Sequence, residues 1–112
     1  MEELTIFEMQ QKMISGELTS SALVQAFLER IEQIDRRGPK INAVIEINPD
    51  AEAIARQRDE ESRRGRRRGP LHGVPLLIKD NIDTHDRMQT TSGSLALAGS
   101  IARRDAFLVR RL

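Results

Sequence analysis

The residues best suited to acid–base chemistry stand at the end of an apolar run. Residues 76–78 are all apolar, and Lys79, Asp80 and Asn81 follow them. Successive apolar positions predict a strand that is covered on both faces, as in the parallel sheets of α/β proteins. Ligands of such sheets gather at the carboxyl ends of strands. A lysine that loses water there, with no charged partner, becomes easier to deprotonate and can act as a neutral base. On spacing alone, a solvated strand end is the alternative interpretation.

A longer pattern surrounds this lysine. The run Gly-Pro-Leu-His-Gly-Val-Pro-Leu-Leu-Ile-Lys-Asp-Asn occupies residues 69–81. Ile-Asp-Thr follows at 82–84, and Thr-Thr-Ser-Gly-Ser follows at 90–94. This ordered set resembles the first signature block of the amidase signature family. The resemblance implies that Lys79 is the base of a Ser-cisSer-Lys triad.

The resemblance extends across essentially the whole chain and implies a fold. That fold is α/β, with N-terminal helices plus the first strands of a large mixed sheet, and it is expected to be incomplete here. Residues 1–112 would form the N-terminal part of an amidase-signature domain, with a helical hairpin at 1–40 and the start of the α/β core at 41–112. Members of the family hydrolyse or transfer amide nitrogen from carboxamides.

Further site residues are implied only by the resemblance. Thr91, Gly93 and Ser94 match the family's small-residue segment near the active site, so we expect them to support the substrate pocket. Asp80 and Asn81 match residues that help to shape the lysine end of the strand.

The sequence also departs from the family pattern. The Gly-Ser-Ser-Gly-Gly type of segment that carries both catalytic serines does not occur in these 112 residues. We therefore expect the front of a longer or split amidase that is inactive alone. Ser92 stands where alanine is usual, and residues 85–88 stand where a smaller, glycine-containing turn is usual, so both places bear on substrate details.

Composition limits the other classes of function. With 38% hydrophobic and 3% aromatic residues, the chain suits one small domain with a lean core. Its net charge of +1 argues against a chain built as a whole for nucleic acid or an anionic membrane. It has no cysteine, and His72 and His85 lack metal-ligand spacing, so neither a metal nor a cofactor is expected. No run approaches the length of a membrane span, and we expect a cytoplasmic protein.

Local signals predict two N-terminal helices. Thr5 can cap the first, and Glu8 three residues later completes a capping box. Gly16 would end this helix. Thr19 would cap a longer second helix that ends at residues 36–39.

The next segments are predicted to alternate between strand and helix. Residues 41–47 read as a short strand rich in β-branched residues. Asn48 can cap a charged helix after it, in which acidic and basic residues four positions apart, including Asp59 and Arg63, are expected to pair. Asp105 would cap a last helix.

Three expectations about partners remain beside one another. The completed enzyme would act on a small-molecule or peptide amide, with a protein partner supplying the rest of the fold if the gene is split. A catalytically inactive helical module derived from an amidase, which docks on another protein, is the alternative. RNA contact through the basic residues 63–68 is a weaker one, because no aromatic residue is interleaved for base stacking. His72 is expected to be a structural hydrogen-bonding residue.

Overall fold

The computed structural model describes residues 4–112, so the first three residues of the predicted domain lie outside it. Its elements are α1 (Ile6–Ser15), α2 (Ser20–Arg30) continued by a π-helical segment (Ile31–Arg37), α3 (Ala51–Arg63), a 3-10 turn (Leu95–Leu97) and α4 (Phe107–Arg111). The described chain divides into two units: residues 4–43 with 51–75, and residues 44–50 with 76–112. No helix within residues 4–112 is long and apolar enough to cross a membrane.

The first helix begins and ends as its local sequence predicts. The Thr5 side chain accepts a hydrogen bond from the Glu8 backbone N–H at 3.2 Å, and the Glu8 carboxylate accepts one from the Thr5 N–H at 2.7 Å. This capping box is therefore confirmed. Gly16 ends α1 with a φ of 81°, a left-handed conformation that glycine adopts without steric cost.

The start of α2 is held from two directions. Thr19 caps it, as predicted, and its side chain accepts from the Ala22 N–H at 3.1 Å. The carboxylate of Asp59, which lies in α3, accepts from the N–H groups of Ser20 at 2.7 Å and Ser21 at 3.0 Å. The first N–H groups of an α-helix have no partner inside the helix, so these contacts satisfy groups that would otherwise need water.

The first unit has a small apolar core. Met9, Leu23, Val24 and Ala55 are its buried hydrophobic residues, and Leu23 is completely inaccessible. They come from α1, α2 and α3, and α2 packs against α3. Because so few apolar side chains are buried, polar contacts between helices carry a correspondingly large part of the packing.

The strand predicted at residues 41–47 is wrong. Asn42 has a φ of 52°, which lies outside the range of a β-strand. Its N–H donates to the backbone oxygen of Asp35 at 3.1 Å, and the Ala43 N–H donates to the Asp35 side chain at 2.7 Å. These donors complete the end of the π-helical segment and are not available to a strand ladder.

The strand predicted before Lys79 is also wrong, because residues 74–79 have no regular secondary structure. The expectation that both faces would be covered fails as well, since Leu76 is 44% and Leu77 is 79% exposed. A strand requires a neighbour that offers N–H and C=O groups in register, and residues 4–112 contain no strand at all. The predicted sheet is therefore not formed by the described part of the chain, which is helical and irregular.

Candidate functional site

Lys79 lies in the second unit, at the end of the irregular segment 74–79. Its backbone oxygen accepts a hydrogen bond from the Ile82 N–H at 3.0 Å, which turns the chain immediately after the lysine. The side chain is exposed and has no hydrogen bond or ion pair within residues 4–112. The burial expected for this lysine is thus not supplied by the described residues, whose second unit has only a 3-10 turn and the short α4 as regular elements.

Asp80 gathers the nearest polar groups. One carboxylate oxygen accepts from the Thr91 N–H at 3.0 Å, and the other accepts from the Thr91 hydroxyl at 2.5 Å and from the Gly93 N–H at 3.3 Å. The Asp80 backbone oxygen accepts from the Ser92 N–H at 2.9 Å. Two of the three residues predicted to support a pocket are therefore bound to the residue that follows Lys79.

Residues 91–94 form a tight turn. The Ser94 N–H donates to the Thr91 backbone oxygen at 2.9 Å, and the two central residues have positive φ values of 51° at Ser92 and 73° at Gly93. Positive φ at both central positions is characteristic of a type I′ turn. Ser94 is exposed and precedes the 3-10 turn, so its hydroxyl faces solvent in the described structure.

The electrostatics of Asp80 follow from these contacts. The hydrogen bond from the Thr91 hydroxyl, then that from the Thr91 N–H, lowers the pKa of Asp80, and a weaker contribution comes from the Gly93 N–H. Each of these donors favours the ionised carboxylate over the acid. Asp80 is therefore held in its charged form by the turn.

Asp105, another acid of this unit, also binds backbone. It is predicted to cap the last helix, but its carboxylate accepts from the His85 N–H at 2.5 Å. The residue before α4 is Ala106, which makes no side-chain cap, and its N–H donates to the Asp83 backbone oxygen at 2.9 Å. The prediction for Asp105 is wrong because a distant donor from residue 85 takes the carboxylate that a local cap would use.

The start of the signature run lies in the first unit and is fastened to its helices. His72 is buried, with Nε2 2.9 Å from the Arg58 backbone oxygen and Nδ1 accepting from the Arg68 N–H at 3.3 Å. These contacts describe a neutral imidazole protonated on Nε2. The Ser20 hydroxyl donates to the Gly73 backbone oxygen at 2.7 Å. The predicted structural role of His72 is confirmed by its hydrogen bonds.

The basic residues 63–68 are largely paired with acids of α3. Arg63 and Arg64 each contact Glu60, at 2.6 and 2.7 Å, and Arg68 contacts Glu61 at 2.5 Å. The hydrogen bond from Arg63 is the largest cause of the lowered pKa of Glu60, and Arg68 has the same effect on Glu61. A groove in this region is lined by charged side chains and by Gln57, and none of the candidate site residues lines it. Within residues 4–112, no group of three or more histidine, cysteine or acidic side chains is placed to hold a metal ion.

Sequence reasoning misses two of these arrangements. The spacing pairs Asp59 with Arg63, whereas Asp59 binds the start of α2 and Arg63 contacts Glu60. The partnership of Asp80 with Thr91 is also missed. Both aspartates are short polar side chains whose partners lie 11 or more positions away along the chain, and a spacing rule for one helix or turn contains no information on such distant contacts.

Comparison with known proteins agrees with this arrangement. The chain matches the family model described as Amidase over residues 22–112. The native peptide amidase from Stenotrophomonas maltophilia is 54% identical and superposes with a TM-score of 0.94 over 99% of the chain and 22% of the amidase. An amidase family protein from Bacillus anthracis is 35% identical, with a TM-score of 0.90 over 98% of the chain and 22% of that protein.

A curated relative extends the match beyond solved structures. The A-type component of the glutamyl-tRNA(Gln) amidotransferase from Streptomyces coelicolor is 42% identical over 98% of the chain and 22% of the relative. The chain thus spans about a fifth of the length of these proteins, and the solved structures among them are of the α/β amidase type. The agreement of the family model, the structural likeness and the signature around Lys79 leads to one conclusion: this chain belongs to the Amidase family.

Proposed function

We propose that the chain is the N-terminal part of an amide-bond hydrolase or amidotransferase, in which Lys79 is the base of a Ser-cisSer-Lys triad. Both serines would come from polypeptide outside these 112 residues, either as a continuation of the chain or as a partner chain. The likeness to the peptide amidase over almost the whole chain is the observation that supports this proposal most strongly. Lys79 ends the signature run within the matched residues.

The proposed chemistry moves one proton out and back. The neutral amine of Lys79 accepts a proton through the bridging serine, which itself takes the proton of the nucleophilic serine. The nucleophile then forms a bond to the amide carbonyl carbon, and backbone N–H groups stabilise the oxyanion. Return of the proton to the leaving nitrogen breaks the carbon–nitrogen bond and leaves an acyl-enzyme, which water or an amine acceptor resolves.

This chemistry requires more than the described residues provide. A neutral amine is favoured when the lysine is removed from water, and Lys79 is exposed in the chain alone. We propose that the region carrying the serines also covers Lys79. The isolated chain is accordingly proposed to be inactive, because a base without its nucleophile leaves most of the rate enhancement unavailable. A carboxamide is the proposed substrate class, and the absence of cysteine fits a proposed cytoplasmic location.

A chimaera tests this proposal directly. The 112-residue chain replaces the matching segment of the Stenotrophomonas maltophilia peptide amidase, which then supplies the remainder of the enzyme. Hydrolysis of a peptide amide is measured for the chimaera, for Lys79→Ala and for Lys12→Ala. Lys12 is the matched control, because it is an exposed lysine whose only described acidic partner is Glu17, at 3.3 Å. Activity of the chimaera that is insensitive to Lys79→Ala would refute the assigned role.

A second candidate function is that of a catalytically inactive binding module. Large apolar side chains are exposed in the second unit, with Leu77 at 79%, Leu95 at 94% and Phe107 at 73%. Surfaces of this kind are typical of sites that contact another polypeptide. If Lys79→Ala left partner capture and cellular phenotype unchanged while substitution of Leu95 by Asp abolished capture, this second function would be favoured over catalysis.

A further inference from the structure

We propose that Asp80 is a positioning residue, which latches the turn of residues 91–94 to the position directly after the proposed base Lys79. The latch is a feature of the second unit alone, and its four hydrogen bonds run from Thr91, Ser92 and Gly93 to Asp80. Its importance for catalysis rests on the proposed function, whereas its existence does not.

The hydrogen bonds of the latch support one another. The Thr91 hydroxyl donates to Asp80 and at the same time accepts from the Gly93 N–H at 3.2 Å, so donor and acceptor are used together. Chains of this kind polarise each member in the same direction. The Ser92 N–H closes the opposite side by donating to the Asp80 backbone oxygen. Asp80 therefore holds every residue from 91 to 93 by at least one contact.

The turn needs such a support because of its backbone. Ser92 has a φ of 51°, in the left-handed region that is unfavourable for a residue with a Cβ atom. Conformations of this type persist only where the surroundings determine them. The hydrogen bonds to Asp80 supply that determination on both sides of Ser92.

A carboxylate suits this position better than an amide. Its two oxygens accept only, and here they face three donors, namely the N–H and hydroxyl of Thr91 and the N–H of Gly93. An asparagine would present an NH₂ group to at least one N–H donor and lose that contact. All the described partners of the carboxylate belong to the turn, so it acts as the anchor of the turn and not as a counter-ion for Lys79.

The latch changes the role expected of the turn residues. The N–H and hydroxyl of Thr91 and the N–H of Gly93 already donate to Asp80, so these groups are not available to a substrate. Ser94, whose N–H closes the turn onto Thr91, keeps its hydroxyl exposed. We therefore assign Thr91 and Gly93 to positioning and leave Ser94 as the member of the predicted set with a hydroxyl free for a ligand.

Amide hydrogen exchange in the full 112-residue chain tests the latch itself. Asp80→Asn and Thr91→Val should each accelerate exchange at the amides of residues 91 and 93 by about tenfold, since each removes a hydrogen bond to a charged group. Thr91→Ser keeps the hydroxyl and should restore the slow rates. Amides of α2 and α3, in the other unit, are the internal control for folding. Exchange at 91 and 93 that stays within about twofold of the parent in Asp80→Asn would overturn the latch.

Titration provides a second readout on the same samples. The lowered pKa of Asp80 means that the latch is complete above the ordinary pKa of an aspartate and is lost as the pH falls through the lowered value. The amide signals of Thr91 and Gly93 should follow this titration, and its midpoint should rise in Thr91→Val but not in Thr91→Ser. Signals that titrate identically in both variants would contradict the assignment.

Steady-state kinetics of the peptide-amidase chimaera test the positioning role. Thr91→Val should lower kcat by about tenfold or more, and Thr91→Ser should restore it, because displaced active-site segments reduce turnover. Unchanged kcat with accelerated exchange would overturn the positioning role while the latch stands. If Lys79→Ala keeps full activity, the proposed function fails together with this role, and the exchange rates still decide the latch on their own.

Discussion

Replacement of Asp59 should destabilise the first unit more than its position on a charged surface helix indicates. Its carboxylate accepts from the backbone N–H groups of Ser20 and Ser21 and from the Ser21 hydroxyl at 2.6 Å, all across the α2–α3 contact. Loss of a helix cap typically costs about 0.5–2 kcal/mol, and a hydrogen bond to a charged group contributes about 1.5–3 kcal/mol. Alanine regains up to about 0.5 kcal/mol through its higher helix propensity within α3.

These values predict that Asp59→Ala lowers the free energy of unfolding by about 2 kcal/mol, since the three hydrogen bonds share one carboxylate and do not add fully. Asp59→Asn, which keeps one acceptor oxygen, should lose about half as much. The measurement is urea denaturation of the chain followed by far-UV circular dichroism. Glu52→Gln is the control, because Glu52 and Arg56 are each 66% exposed, and removal of such a pair should cost less than about 0.5 kcal/mol. An Asp59→Ala loss no larger than that of the control would refute the reasoning.

Two further predictions concern local backbone geometry and use the same denaturation assay. Gly73→Ala should cost about 1 kcal/mol more than Gly65→Ala, because both glycines have positive φ but only a Cβ at 73 would lie 3.2 Å from the Ser20 Cβ, whereas nothing lies within 4 Å at 65. Equal losses would contradict this steric argument. Thr5→Ala should cost about 1 kcal/mol through loss of the capping box with Glu8, and Thr5→Ser should retain the stability of the parent. A Thr5→Ser variant as unstable as Thr5→Ala would show that the hydroxyl is not the stabilising group.

The features that the sequence predicts well are those decided within a few residues. The capping box depends on Thr5 and Glu8, three positions apart, and the end of α1 depends on the left-handed conformation of Gly16. Both are set by sterics and hydrogen bonds inside a single turn of backbone. The family could also be identified, because the signature of residues 69–81 is long and ordered.

The features that the sequence does not predict depend on distant partners. Residues 41–47 have the composition of a strand, but Asn42 and Ala43 donate to Asp35 at the end of a helix and form no ladder. A strand is stabilised by its neighbours, and no spacing rule states whether neighbours are present. Asp59 similarly has an arginine four positions away, yet two backbone N–H groups of another helix take its carboxylate.

The candidate site shows the same division. The position of Lys79 at the end of an apolar run could be read from sequence, and so could the small residues near 91–94. That Asp80 joins these two segments could not, because the contact between residues 80 and 91 depends on the intervening chain turning back on itself. The exposure of Lys79 could not be read either, since apolar neighbours along the chain do not ensure apolar neighbours in space.

The most direct test of the central claim is the turnover number of the peptide-amidase chimaera with and without the amine of Lys79. The account predicts an active chimaera in which Lys79→Ala lowers kcat by about 10²- to 10⁴-fold, as expected for loss of a general base, while Lys12→Ala stays close to the parent. A correctly folded chimaera whose kcat is the same with lysine or alanine at position 79 would contradict it.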